Sequence, residues 1–298
     1  MSSERRSHVR VVVVTWNPDF TRFVQTLAAL VQQTQGVVVV DNGSAQQSLV
    51  RGHAEKHAHL EFIGLSENMG IGTALNVGVR AALLAQPDWI LTMDQDTLVR
   101  EGALDEILTS YSLMSEKERM SVGIVAMRSP PQSSYNVVVR YSDRLMTTGD
   151  LGTFVQRRAV ISSGNLVRAD VARRLSYNEE LFIDQVDYEF CDRVRRAGFD
   201  IILEKGASMD HVLGEMSGTT TKDHPYENAQ RMYYIARNSM YLALRRRMWL
   251  RFYLVQMVIF CGAYVSKNGM RSIGRCLRVV ARGSVDGVVG RLGQRTYP

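Results

Sequence analysis

The feature that most constrains this chain is a run of β-branched residues with no alternation in it. Residues 9–15 read VRVVVVT and residues 37–40 read VVVV. A strand with one wet face alternates apolar and polar side chains. A continuous apolar run needs cover on both faces, as a buried parallel strand has. Each run stops at turn chemistry, Trp16-Asn17-Pro18 after the first and Asp41-Asn42-Gly43-Ser44 after the second. Between them, Phe23, Leu27, Leu30 and Val31 recur at helical spacing within residues 20–33. The alternation continues with a strand over Leu60–Leu65, a helix over Gly72–Leu84 and a strand over Trp89–Met93 that ends at Asp94. Strands alternating with helices predict an α/β fold, a mostly parallel sheet flanked by helices. Val122–Met127, Gly164–Val167 and Ile201–Leu203 read as further strands, and Val186–Ala197 as a helix stopped by Gly198.

In open α/β sheets, ligands bind beyond the carboxyl ends of the strands. Thr15, Asn17, Asp41, Asn42, Asp94 and Asp96 all fall at such ends. Asp94-Gln95-Asp96 follows the apolar strand WILTM. Two carboxylates so placed need a counter-charge if they are drawn out of water. A hard divalent cation, Mg²⁺ or Mn²⁺, with phosphate oxygens as its other ligands would supply it; a solvated loop capping the next helix is the other reading. The three cysteines, Cys191, Cys261 and Cys276, are far apart and form no C-x-x-C pair, so a reducing compartment is expected. The N-terminal MSSERRSHVR has no apolar segment of the signal-peptide kind.

Charge divides the chain. The net charge is +6, yet residues 231–298 hold twelve Arg and one Lys against the single acid Asp286, which leaves −6 on the first 230 residues. A basic segment points to an anionic partner. No zinc-finger, RNP or KH signature accompanies it, so nucleic acid is not expected. Phe252–Ser266 is apolar almost all round, with Gln256 its one strongly polar interruption, and is shorter than the ~20 residues that span a bilayer. Arg245–Arg247, Arg251 and Lys267 flank it, and Arg271, Arg275, Arg278 and Arg282 follow at helical spacing. This pattern predicts a helical extension that lies on an anionic membrane surface or joins two copies of the chain.

Six stretches, VVVVTWNP, VVVVDNGS, ENMGIGTALNVGV, WILTMDQDT, SSGNLV and FIDQVDYEFCDRVRRAGF, occur in this order. Together they resemble the inverting family-2 glycosyltransferases of GT-A fold, over about Val11–His211. LTMDQD, FIDQVDYEFC and DHVLG look most like bacterial rhamnosyltransferases of surface-polysaccharide assembly. The resemblance implies a GT-A nucleotide-sugar domain over residues 1–225 and a helical extension over 226–298. It places Thr15, Asn17, Asp41, Asn68, Gly70, Asn76, Asp94 and Arg237 around the nucleotide sugar, with Asp41 at the nucleobase or ribose and Arg237-Asn238 beside the diphosphate. Asp94, Asp96 and His211 would hold the metal. Inverting transfer needs a base for the acceptor hydroxyl. The family's acidic motif matches Asp187, but Val186 stands where many members have Glu, so Asp184 and Asp187 both remain candidates. The implied donor is dTDP-rhamnose and the acceptor a glycan or lipid-linked glycan, on the cytoplasmic face of a membrane. Other UDP- or GDP-hexosyltransferases, and a non-catalytic nucleotide-sugar-binding protein, stand as alternatives. A nucleotidyltransferase would show a basic, Gly-rich N-terminal signature that is missing here.

Overall fold

A computed structural model of the chain describes residues 8–129, 144–206, 208–211, 229–245 and 250–295. The boundary expected near residue 225, the basic residues Arg246 and Arg247, and most of the DHVLG segment lie outside the described residues.

The first half alternates as its hydrophobic pattern predicts. β1 (Val9–Thr15), α1 (Phe20–Gln33), β2 (Val37–Asp41), α2 (Gln47–Ala54), β3 (Leu60–Gly64), α3 (Ile71–Leu83) and β4 (Trp89–Asp94) follow in turn. A short β5 (Thr97–Val99), α4 (Ala103–Ser112), α5 (Glu116–Ser121) and β6 (Val122–Ala126) come next. β7 (Thr147–Leu151), β8 (Phe154–Arg157), β9 (Asn165–Arg168), α6 (Ala169–Arg174), α7 (Val186–Arg196), β10 (Asp200–Glu204) and β11 (Met209–His211) complete the α/β part. Three helices close the chain: α8 (Ala229–Arg245), α9 (Leu250–Asn268) and α10 (Ile273–Val289).

Among the described residues, nine strands form one sheet in the order β3-β2-β1-β4-β9-β6-β10-β8-β7, and β11 pairs with β5 in a separate ribbon. β3, β2, β1 and β4 are parallel neighbours, while β9 runs antiparallel between β4 and β6. The unbroken valine runs are explained by burial on both faces. Val12 and Val14 of β1 enter one core layer with Val38 and Val40, beneath Ala74, Leu75 and Val79 of α3. Val9, Val11 and Val13 enter the opposite layer with Val37 and Val39, against Phe23, Leu27 and Leu30 of α1. Each such side chain, fully removed from water, contributes about 1.5–3 kcal/mol.

The chain leaves β1 for β2 on one side and later returns to β4 on the other. A crevice therefore opens between the carboxyl ends of β1 and β4. Register brings the ends level: Thr15 lies opposite Asp41, and Val14 opposite Asp94.

The C-terminal helices pack as a layer of their own. Met232, Tyr233 and Tyr234 of α8 meet Tyr264 of α9 and Cys276 and Val279 of α10. Gly283 and Gly287, one helical turn apart, let α10 lie directly on the α8 backbone. A Cβ at Gly283 would sit 2.5 Å from the Tyr233 carbonyl oxygen, and one at Gly287 would collide with that of Arg237. Tyr233 donates a hydrogen bond to buried Asp286 at 2.7 Å between the two helices.

Gly287→Ala should therefore destabilise the protein although alanine is the better helix former. Overpacking against an unyielding backbone costs about 1–3 kcal/mol, against about 1 kcal/mol of helix propensity gained. Urea denaturation should show a lower midpoint; an unchanged or higher one would mean that α10 does not rest on α8.

Candidate active site

The triplet Asp94-Gln95-Asp96 turns off the end of β4, and its middle residue anchors it. The Gln95 side-chain carbonyl accepts from the Thr15 hydroxyl and from the Trp16 backbone N–H, both at 2.8 Å. The ends of β1 and β4 are thereby tied across the crevice, and the flanking carboxylates stay partly exposed. Ser163 Oγ accepts from the Asp94 backbone N–H at 3.1 Å, and Arg22 of α1 donates to the Asp96 carbonyl at 3.0 Å. The same guanidinium lies 3.8 Å from the carboxylate of Asp210 on β11. His211 pairs with Thr97 across the β5–β11 ribbon, one residue beyond Asp96. Two hard carboxylates at an open strand end suit a cation whose shell is completed by phosphate oxygens. Among the described residues, no three His, Cys, Asp or Glu side chains form a preformed metal cage.

Asp41 is wholly buried at the end of β2. Its Oδ1 accepts from the Ser44 backbone N–H at 2.8 Å and from Gln47 Nε2 at 3.1 Å. Its Oδ2 is buried with no hydrogen-bond partner among the described residues. A buried acceptor left without a donor is costly, and a ligand N–H or O–H would relieve that cost. Asn17 takes a left-handed conformation, φ 46°, and bridges the loops after β1 and β2. Its backbone N–H donates to Ser44, and its Oδ1 accepts from Ala45 N–H.

The N-x-G segment faces inward. Asn68 Oδ1 accepts from Asn42 Nδ2 and from the Gly70 N–H, both at 3.0 Å. The close approach that Gly70 permits is to the protein itself: at φ 86°, a Cβ there would stand 2.6 Å from the Phe182 carbonyl oxygen. Asn76 is buried and bonded to Tyr177 through both ends of its amide and to Glu179. Asn76 of α3 thus seats the 177–182 segment, and Gly70 lets it pass close by.

That segment leads into the acidic motif. Phe182, Asp184 and Gln185 all have positive φ, between 62° and 64°. Left-handed geometry costs a non-glycine residue about 1–2 kcal/mol, and such strain persists only where the surroundings over-determine it. The two candidate bases differ in environment. Asp184 is paired with Arg231, Nη2 to Oδ1 at 3.0 Å. Asp187, in the first turn of α7, is hemmed in by protein yet keeps some access to solvent. Burial pushes its carboxyl up to about 7, and the negative charges of Asp184 and Asp94 push the same way. The Asp94 contribution puts the end of β4 within electrostatic reach of the acidic motif. Glu189 is fully buried in an ion pair with Arg193 at 2.8 Å, a structural role.

Arg237 departs furthest from expectation. Rather than presenting an open phosphate-binding face, it is fully buried. It donates to the carbonyls of Gly293 and Leu181 and stacks over Tyr234, 4.7 Å from the ring centre. A guanidinium so enclosed holds protein. Gln95, Ser163, Arg22 and Gln47 were not expected from the sequence. Gln95 and Ser163 lie inside the WILTMDQDT and SSGNLV stretches, yet the roles of all four come only from the three-dimensional proximity of strand ends.

Comparison with known proteins accords with this geometry. The family model for glycosyl transferase family 2 matches residues 10–174, more than half of the chain. A curated relative, the dTDP-rhamnosyl transferase RfbF of Shigella flexneri, is 27% identical over 247 residues, 80% of this chain and 81% of its own. Among solved structures, GalNAc-T7 with UDP, GalNAc and Mn²⁺ has a TM-score of 0.58 at 12% identity. That match covers 82% of this chain but only 51% of the GalNAc-T7 chain. TarS 1-349 of S. aureus has a TM-score of 0.51 at 15% identity, covering 95% of this chain and 91% of its own. The fold is that of GT-A glycosyltransferases, and the chain belongs to glycosyl transferase family 2.

Proposed function

We propose that this glycosyltransferase moves rhamnose from dTDP-rhamnose, with inversion, onto a glycan or lipid-linked glycan. One observation carries the reading: Asp187, a carboxylate that binds a proton near neutrality, lies within electrostatic reach of Asp94 at the strand end where a sugar diphosphate would lie. The relative named as a dTDP-rhamnosyl transferase supports the donor. Asp41 Oδ2 would accept from the nucleobase or ribose. Asp94 and Asp96, with His211, would hold a divalent cation, which when bound offsets the charge that develops on the leaving diphosphate. Asp187 takes the proton of the acceptor hydroxyl as its oxygen attacks the anomeric carbon. The bond from that carbon to the diphosphate oxygen breaks, and dTDP leaves with the electron pair. Asp184 is engaged by the Arg231 guanidinium at 3.0 Å, which leaves Asp187 as the carboxylate proposed to act as the base.

The outward faces of α9 and α10 support a membrane partner. Leu250, Leu254 and Val258 recur every fourth residue on α9 and are exposed, as are Leu277, Val285 and Val288 on α10. Arg251, Arg275, Arg278 and Arg282 are exposed alongside them. Among the described residues, no helix is long and apolar enough to cross a membrane. An anionic bilayer matches both features, the arginines drawn to headgroups and the apolar side chains dipping between them. At such a surface the enzyme would meet a lipid-linked acceptor.

Three measurements test this function. With Mg²⁺ or Mn²⁺, the wild-type chain should consume dTDP-rhamnose faster than UDP-glucose, UDP-galactose or GDP-mannose; EDTA or Asp96→Ala should abolish turnover. Preference for another sugar nucleotide sinks the donor, and full activity in EDTA sinks the metal.

Asp187→Asn should lower kcat by ~10²–10⁴, the range for loss of a general base, with donor binding intact. In metal-free protein the same variant reads the proton affinity. Because the folded-state value of about 7 lies above an ordinary carboxylate's, wild-type stability relative to Asp187→Asn should be highest below pH ~4. It should decline as pH rises through 7. A difference that does not vary with pH would remove the perturbed carboxylate.

Flotation with liposomes should carry the full chain upward only when anionic lipid is present, and less so in high salt. A dimer in solution that ignores liposomes would assign the apolar faces to a subunit interface instead.

A further inference from the structure

The acidic loop is held from two sides, by the start of α3 and by the C-terminal helices. Residues 182–185 belong to neither helix nor sheet, so their backbone carbonyls need partners from elsewhere. One side-chain amide meets two of the four, those of Ile183 and Asp184, and the Ile71 and Glu189 backbone N–H groups meet the other two. Asn238 Nδ2, buried on α8, lies 3.0 Å from the Leu181 carbonyl oxygen, 2.7 Å from that of Ile183 and 2.9 Å from that of Asp184. The neighbouring Arg237 fixes the amide by donating from Nε to Asn238 Oδ1 at 2.8 Å. Two turns earlier on α8, Arg231 forks onto the Asp184 carboxylate, Nε at 3.2 Å to both oxygens and Nη2 at 3.0 Å to Oδ1. On α9, Gln256 accepts from Gln185 at 2.8 Å. Asp187 follows this loop by two residues, so its direction is inherited from a backbone held in three left-handed steps.

We propose that Asn238 and Arg231 are positioning residues for the transfer reaction. Asn238 sets the course of the backbone that aims Asp187, and Arg231 keeps the Asp184 carboxylate turned aside and charge-compensated. The proposal rests on the reading of Asp187 as the base. It gives α8 a duty toward the acceptor half of the reaction, distinct from contact with the donor diphosphate. A buried asparagine that served folding alone would make the same hydrogen bonds, so the test must separate aim from stability.

A thermodynamic cycle in the full-length chain does so. Release of dTDP from dTDP-rhamnose is measured with enzyme in excess for wild type, Asn238→Ala, Asp187→Asn and the double variant. Asn238→Ala should lower kcat about 10- to 100-fold, the loss expected when a reacting group is misplaced by about an ångström, and leave donor KM within about twofold. In the Asp187→Asn background the same change should alter kcat by no more than about twofold, because an effect exerted through Asp187 disappears with it. Equal losses in both backgrounds would overturn the proposal, as would a loss confined to KM. Should Asn238→Ala fail to fold, the partly exposed Arg231 supplies the same cycle through Arg231→Ala. A loss that vanishes in the Asp187→Asn background then supports the proposal, and equal losses overturn it. A fully active Asp187→Asn removes the base and its positioning together. An inactive Asp187→Asn beside a fully active Asn238→Ala removes the positioning alone.

Discussion

A polypeptide backbone that leaves regular structure must find partners for its carbonyls, and in this protein that requirement joins two parts of very different composition. The segment that begins at Leu181, the end of a short 3₁₀ turn, leaves regular structure over residues 182–185, just ahead of the proposed base. Its carbonyls are met by Asn238 and Arg237 and, at Phe182, by the Ile71 N–H at the start of α3. Left-handed geometry at three non-glycine residues would relax without this enclosure. The α/β layer and the helical layer therefore depend on one another at the residues where the chemistry is proposed to take place. The family match ends at residue 174, before this junction.

Electrostatics follow from the same arrangement. Asp41, Asp94 and Asp96 lie at strand ends, and Asp184 and Asp187 lie in the 182–185 loop and the first turn of α7, all in a part of the chain whose net charge is negative. Arg231 compensates Asp184, and Arg22 reaches the Asp96 carbonyl and Asp210. Burial does most to raise the proton affinity of Asp187, and repulsion from Asp184 and Asp94 adds to it. On the proposed reading, surplus negative charge at the strand ends would both attract a cation and keep the proton acceptor near its working point.

Much of the α/β framework was legible in the sequence because it rests on period and punctuation. The unbroken valine runs of β1 and β2, the helical spacing in α1 and the stop at Asp94 each have one physical reading, and the structure bears it out. The strand-end polar residues were legible for the same reason: an element's end is visible where its pattern stops. The antiparallel insertion of β9 beside β4 was not, since strand direction depends on pairing between segments some 70 residues apart. Side-chain destinations were the least legible. Arg237 reads as a phosphate ligand because arginine suits that task, yet the Gly283–Gly287 contact and the rings of Tyr233 and Tyr234 enclose it. Gln256 stood out in the sequence only as a polar interruption of its apolar run. A lone amide in an apolar helix must be bonded to something, and Gln185 and Ser239 meet it.

On the proposed reading, and where Asp41 meets the nucleobase rather than the ribose, its Oδ2, unpartnered among the described residues, has a consequence for molecular discrimination. A carboxylate oxygen only accepts, so a nucleobase can satisfy it only by offering a hydrogen. Uracil and thymine offer the same ring N–H and differ by one methyl group, to which such an oxygen is blind. Choice between these two nucleotides falls instead to apolar contact with that methyl, worth only about 1–3 kcal/mol in a hydrophobic pocket. A buried carboxylate can thus fix the hydrogen-bonding class of the base, while the choice within that class is left to shape.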